Sequence, residues 1–247
     1  MPISHKVAAR SDTGRVRTNN EDRHAYFTTR QGTFWMVCDG MGGHEAGEVA
    51  AQLAIESVAN FLENCKEPLE PPVLLERALE EANAIIYKMA QSIPQYRRMG
   101  TTCVIAHMPH GSEEIYYAHI GDSRLYWKNR DGFRQMTLDH SYVQFLLLIG
   151  AITPEEAAFH PRRHVILRAL GIAPRPEIEV APQPIVAEAG DVILLCSDGL
   201  TNMLSDDEIA KVIAQPEPLQ ARGDRLIHLA NQAGGEDNIT VLLIEFG

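Results

Sequence analysis

Six short apolar runs set the narrowest limit on how this chain folds: "GTFWMVCD", "TTCVIAHM", "EIYYAHIGD", "SRLYWKN", "DVILLCSD" and "NITVLLIEF". Several are bounded by Gly, Asp or Asn, which is the pattern of strands. Helical period is clear in only two places. In "PPVLLERALEEANAIIYKMAQ" the residues Leu75, Ala78, Leu79, Ala82, Ile85, Ile86 and Met89 share one face, and Ala54, Val58, Phe61 and Leu62 do so earlier in the chain. A third candidate, "ARGDRLIHLANQAGG", ends in Gly234 and Gly235, which suits a C-cap. Helices that cluster rather than alternate with strands predict an α+β fold, a mostly antiparallel sheet structure covered by helices. The stretch "IGDSRLYW" predicts a hairpin with Gly121 and Asp122 near its turn, and residues 142–171 an excursion from the sheets.

At 247 residues the chain suits one sizeable core, and no stretch reads as a linker, so a single domain over 1–247 is expected. No apolar run approaches the ~20 residues of a membrane span, and "MPISHKVAARSD" lacks the apolar segment of a secretory signal. A soluble, cytoplasmic protein with no membrane partner is expected. The formal charge of -11 speaks against a nucleic-acid surface. Cys38, Cys65, Cys103 and Cys196 lie far apart, which argues against a zinc knuckle or a disulfide framework.

Four acidic residues share one layout. Asp39 follows "FWMVC", Asp122 follows "YYAHIG", Asp198 follows "VILLCS", and Asp237 precedes "NITVLLIEF". One such Asp is ordinary turn or cap punctuation. Four of them, if strand pairing gathers their ends, repel by about 4 kcal/mol per pair at 4 Å and an effective dielectric of 20. Such a cluster calls for cations, and oxygen ligands without clustered Cys or His select Mg²⁺ or Mn²⁺.

The glycines in "CDGMGGHEAGE" invite a different reading, a phosphate cradle, and both forms of it fail at a defining residue. Gly42 to Gly47 has the P-loop spacing but continues into Glu48 and Val49, and Glu45 stands where the dinucleotide motif begun at Gly40 needs its third glycine. A turn needing close backbone approach remains, one that can bring the Gly40 carbonyl beside Asp39. Near the N-terminus, "GRVRTNNEDR" places Arg17 four and five residues before Glu21 and Asp22. Beside a metal cluster an Arg is the natural bidentate partner of a phosphate.

Taken together, these residues resemble those of the type 2C metal-dependent Ser/Thr protein phosphatases (PPM family) in their short bacterial form. The matching stretches stand in family order: "SDTGRVRTNNED", "CDGMGGHEAGE", "GTT", "IGDSRLYW", "MTLDHS", "ITPEEA", "LRALG", "CSDGL" and "GGEDNIT". The resemblance implies a β-sandwich of two mainly antiparallel sheets flanked by pairs of helices, with a two-metal centre at one end. It implies that Asp39 bridges two ions, that Asp198 and Asp237 hold one and the Gly40 carbonyl the other, and that Asp22 acts on the second, with Glu21 as a helper. Asp122 with Asp198 matches a weaker third metal site, Arg17 the phosphate-binding arginine, and the excursion near 142–171 the flap.

The implied activity is hydrolysis of phosphoserine and phosphothreonine by direct attack of a metal-bridging hydroxide, in a monomer that opposes a bacterial Ser/Thr kinase. No C-x-x-x-x-x-R arrangement suggests a phosphoenzyme instead. Eukaryotic members carry a His after the Asp-Gly as general acid; here, as in bacterial members, Met41 stands there, and His44, three residues on, is a catalytic candidate for substrate binding or proton transfer. Leu167 occupies a flap position where Thr is usual. The histidine pairs of "HMPH" and "HPRRH" have metal-like spacing but are interrupted by proline, and Arg162, Arg163 and His164 form a small basic patch. A phosphoprotein-binding module without catalysis is the competing reading; loss of a metal aspartate would mark it, and Asp39, Asp198 and Asp237 are all present.

Overall fold

The apolar runs pair into two antiparallel sheets in the computed structural model of the chain, which describes residues 3–43 and 45–247. In chain order its first half gives β1 (His5–Asp12), β2 (Asp22–Thr29), β3 (Gly32–Met41), α1 (Glu45–Asn64), α2 (Pro71–Ser92), β4 (Gly100–Thr101), β5 (Cys103–Pro109), β6 (Glu114–Ile120), β7 (Arg124–Asn129) and β8 (Gly132–Gln135). The second half gives α3 (Tyr142–Leu148), α4 (Pro154–Ala158), β9 (Glu179–Val180), β10 (Ile185–Val186), β11 (Val192–Cys196), α5 (Asp198–Thr201), α6 (Asp206–Ile213), α7 (Leu219–Gln232) and β12 (Ile239–Phe246). One sheet runs β1-β12-β11-β7-β8; the other runs β10-β6-β5-β3-β2, with β4 on β3 and β9 on β6.

Period-2 alternation explains the layers. Along β3, Trp35 and Val37 face the other sheet and share a core with its Leu195 and Leu242, while Phe34, Met36 and Cys38 face α1 and α2. The helix face read from the sequence is the one used: Leu75, Ala78, Leu79, Ala82 and Ile86 are buried, and Ile85 and Met89 lie half-buried at its margin. Each buried Leu or Ile is worth about 1.5–3 kcal/mol relative to exposure. On the opposite side, α6 and α7 cover the first sheet through Ile209, Val212, Leu226 and Ala230. The result is a sandwich with helices outside both sheets.

The hairpin expected at "IGDSRLYW" does not form. β6 pairs with β5, β9 and β10, whereas β7 pairs with β11 and β8, so the Gly121–Asp122 turn carries the chain from one sheet to the other. Gly121 makes the switch possible: its φ of 105° is open to glycine, and a Cβ there would strike the Thr102 side chain. The run "TTCVIAHM" also divides, at Thr102, whose side chain is drawn into the site described next.

The excursion leaves the first sheet after β8. It carries α3, α4 and exposed Phe145, Leu148, Ile149 and Phe159, and the Arg162 guanidinium lies 3.7 Å over the Tyr142 ring. Its return path is tied back: Tyr142 N–H donates to the Val165 carbonyl, Leu167 N–H to His140, and Leu170 pairs with Thr101.

Candidate metal centre

Antiparallel pairing brings the start of β2 beside the end of β3, and the end of β11 beside the start of β12, at one edge of the sandwich. Asp22 and Asp39 are register partners. Asp39 continues the inner-face series of Trp35 and Val37, so both carboxyls point between the sheets where the apolar core runs out. From the other sheet, Asp198 follows Ser197 at the end of β11, and Asp237 precedes β12 by two residues. Arg17, Glu21, Asp39, Gly40, Asp198 and Asp237 line one cavity of about 600 Å³, with Asp22 buried behind it.

Side chains that the sequence reading quoted within motifs but gave no role hold this edge together. Ser197 Oγ donates to Asp22 Oδ2 at 2.6 Å and accepts from Thr240 N–H at 3.0 Å, linking the two sheets through one hydroxyl. Asn238 Oδ1 accepts from Glu21 N–H at 2.8 Å, and its Nδ2 donates to the carbonyls of Thr13 and Asn19. That amide fixes the loop bearing Arg17 against β12. Thr102 Oγ1 accepts from Asp39 N–H at 3.0 Å, and Thr101 Oγ1 donates to the Asp39 carbonyl at 2.8 Å, so "GTT" clamps the Asp39 backbone. The signal for these roles was present only as short polar residues next to strand ends, which are hydrogen-bonding groups in search of partners.

Gly40 is required by contact rather than by φ: a Cβ would collide with the Gly47 carbonyl at the start of α1 and approach the Glu21 carbonyl. Met41 is paired with Gly100 and lines the cavity. His44 lies outside the described residues. Asp122 lies in an adjoining cavity of about 300 Å³, which it shares with Asp198, Asp139 and Arg163. Arg124 matches Asp139 with two bonds of 2.7 and 2.8 Å, whereas Oδ1 of Asp122 has no partner.

The electrostatics are those of charge without compensation. Burial is the first cause, and neighbouring carboxylates another, of raised pKa values at Asp39, Asp122 and Asp198, while burial with the charges of Asp198 and Asp237 pushes Asp22 up to about 7. Oδ1 atoms of Asp22, Asp122 and Asp198 are buried with no hydrogen-bond partner. Such orphaned acceptors are costly, and an all-oxygen donor set of this kind fits hard divalent cations. Arg17 Nη2 donates to Asp237 Oδ2 at 2.7 Å, placing the guanidinium at the cavity mouth.

A second group with metal-like spacing, His119, His140 and Glu179, has the opposite character. His140 Nδ1 accepts from Gly121 N–H at 3.1 Å, which leaves the proton on Nε2, 3.2 Å from Glu179. His119 Nε2 donates to the Leu138 carbonyl at 2.8 Å, and the rings stack at 4.6 Å. A cation on His140 Nε2 would displace the proton and strand the buried Gly121 N–H, so this group is a hydrogen-bonded clamp on the turn that carries Asp122.

A β-sandwich with a pocket of hard-cation ligands and an arginine at its mouth defines a class of phosphate-ester hydrolases, and the relatives agree. The protein phosphatase 2C model matches residues 13–243. The serine/threonine phosphatase stp of Listeria innocua is 39% identical over 96% of this chain and 94% of its own. The S. agalactiae serine/threonine phosphatase structure has a TM-score of 0.90 at 34% identity, covering 98% of this chain and 99% of that one. The catalytic domain of the phosphatase PstP in complex with 2 manganese ions has a TM-score of 0.83 at 37% identity over 100% and 99% of the two chains. The chain belongs to the protein phosphatase 2C family, in its short bacterial form, and is a serine/threonine phosphoprotein phosphatase.

Proposed function

We propose that this chain removes phosphate from phosphoserine and phosphothreonine of proteins using two divalent cations, Mg²⁺ or Mn²⁺, with a weaker third site. The observation that carries the reading is the convergence of Asp22, Asp39, Asp198 and Asp237, of which Asp22 and Asp198 keep unpartnered buried oxygens. Asp39, between the two sheets' contributions, would be shared by both ions; Asp198 and Asp237 would hold one, and the Gly40 carbonyl with Asp22 the other. Glu21 assists, and Asp122 with Asp198 forms the third site. Bound there, two cations supply a water of lowered pKa for in-line attack on phosphorus and offset charge on the phosphoryl oxygens.

The protein's own groups do the rest. Arg17 turns from Asp237 to a pair of phosphoryl oxygens and orients the ester. Ser197 holds Asp22 as an acceptor, and Thr101 with Thr102 fixes Asp39 against displacement. Phosphate leaves without a covalent phosphoenzyme. We further propose one catalytic domain over 1–247, acting as a cytoplasmic monomer against a Ser/Thr kinase. Among the described residues, no helix is long and apolar enough to cross a membrane.

Phosphate release from a phosphothreonine peptide tests this reading, with Mn²⁺, with EDTA, and with Asp39→Asn. Release is expected to need Mn²⁺ and to vanish in the variant. A folded protein that binds Mn²⁺ and releases no phosphate from a panel of peptides contradicts it.

A further inference from the structure

Hydrolysis of a serine or threonine phosphate expels an alkoxide, which needs a proton as the P–O bond breaks. The cavity is poor in groups able to give one. Arg17 keeps its proton under all ordinary conditions, Met41 has none to give, and Asp39, Asp198 and Asp237 are committed to cations. Glu21 and Glu236 are carboxylic side chains, ordinarily ionised at neutral pH. Among the described residues, His164 is the one imidazole that lines this cavity.

Its position is built by the backbone around it. Arg163 N–H donates to the His160 carbonyl and Val165 N–H to Arg162, which makes the turn that holds residue 164. Immediately after it, Tyr142 N–H donates to Val165 at 2.8 Å, Ser141 bridges Ile166, and Leu167 N–H donates to His140 at 2.7 Å. His164 is thus carried on the anchored return path of the flap and not on its exposed apolar helices. Among the described residues the ring has no hydrogen-bond partner, and it lines the same cavity as Asp198. An imidazole is also the side chain whose ordinary pKa suits it to give up a proton near neutrality.

We propose that His164 is the proton donor to the leaving serine or threonine oxygen, an inference that rests on the phosphatase reading above. As the oxygen of water forms its bond to phosphorus, the bond to the side-chain oxygen breaks and its electron pair goes to that oxygen. That oxygen takes the proton of the imidazolium. The proton of the attacking water passes to solvent, and the neutral ring is reprotonated from solvent before the next turnover. The products are the free hydroxyl residue and inorganic phosphate.

The test compares a phosphothreonine peptide with p-nitrophenyl phosphate, whose phenolate departs without protonation. In His164→Gln the ratio of kcat on the peptide to kcat on the aryl ester is expected to fall about 10²- to 10⁴-fold relative to wild type, and imidazole added to the buffer is expected to restore part of it. Mn²⁺ titration calorimetry on the same variant is expected to give the wild-type affinity. A ratio within about twofold of wild type overturns the proposal, as does a fall in Mn²⁺ affinity that slows both esters alike. A selective fall in His44→Gln with none in His164→Gln also overturns it. Wild-type protein inactive on both esters overturns the phosphatase reading and this inference with it.

Discussion

The carboxylate cluster and the His119–His140–Glu179 group meet at the Gly121–Asp122 turn, and among the described residues it is the second that sets three ligand atoms within 4.8 Å of one another. They differ in what their polar atoms lack. Three of the four ring nitrogens of the histidine pair are hydrogen-bonded, and burial lowers the pKa of both rings, so they are neutral and internally satisfied. The carboxylates repel one another and leave three buried oxygens, on Asp22, Asp122 and Asp198, unpartnered. Unmet valence, more than spacing, separates a centre that calls for a cation from a structural clamp. Two other histidines follow the same rule: His107 Nδ1 pairs with the Thr33 carbonyl and His110 Nε2 with the Thr29 carbonyl.

Asp39→Asn should separate the two regions most strongly. Phosphatase activity is expected to fall about 10³-fold or more, while the metal-free protein gains about 1–2 kcal/mol because one repelling charge is gone. Steady-state kinetics and thermal melting in EDTA check both; a variant less stable without metal would break the comparison. Arg17→Ala removes a charged hydrogen-bond donor to phosphate, worth about 1.5–3 kcal/mol. KM for a phosphopeptide should rise about 10- to 100-fold, with stability nearly unchanged because the Arg17–Asp237 pair is largely exposed.

His140→Ala acts on the clamp instead. It leaves the buried Gly121 N–H without its acceptor and should cost about 1–3 kcal/mol in denaturant unfolding, with kcat falling less than about tenfold. A loss of activity as large as that of Asp39→Asn, at normal stability, would place His140 in the chemistry. The smallest expected effect is on pH dependence. Asp22 has a folded-state pKa raised to about 7 from an ordinary 3.8, so the metal-free native state binds more protons than the unfolded chain between those values. Its contribution makes stability rise as pH falls from 7 towards 4, by at most about 1.4 kcal/mol per pH unit. Melting across that range, with and without Mn²⁺, should show the slope only without metal; no difference would mean that the carboxyls are compensated by the protein alone.

Much of this architecture is legible in the sequence alone. The apolar runs became strands because their β-branched and aromatic residues suit a pleated, half-buried surface, and Asp39, Asp198 and Asp237 were visible where such runs stop. Strand partners were less legible. Gly-Asp after "YYAHI" reads equally as a hairpin turn or as a switch between sheets, since either needs a residue free to adopt positive φ. Ser197, Asn238 and Thr102 went without roles for a related reason. Each binds a residue distant in sequence, and only pairing of the strands shows that Ser197 and Asp22, 175 residues apart, share a hydrogen bond.

Calorimetric titration of Mn²⁺ into the metal-free protein, followed by melting, tests the central claim most directly. Two ions are expected to bind the wild type, to raise its melting temperature, and to lose that stabilisation in Asp39→Asn; at a hundredfold excess over Kd the gain is about 2.7 kcal/mol per site. A wild-type protein that takes up no Mn²⁺ and melts at the same temperature with or without it would contradict the account.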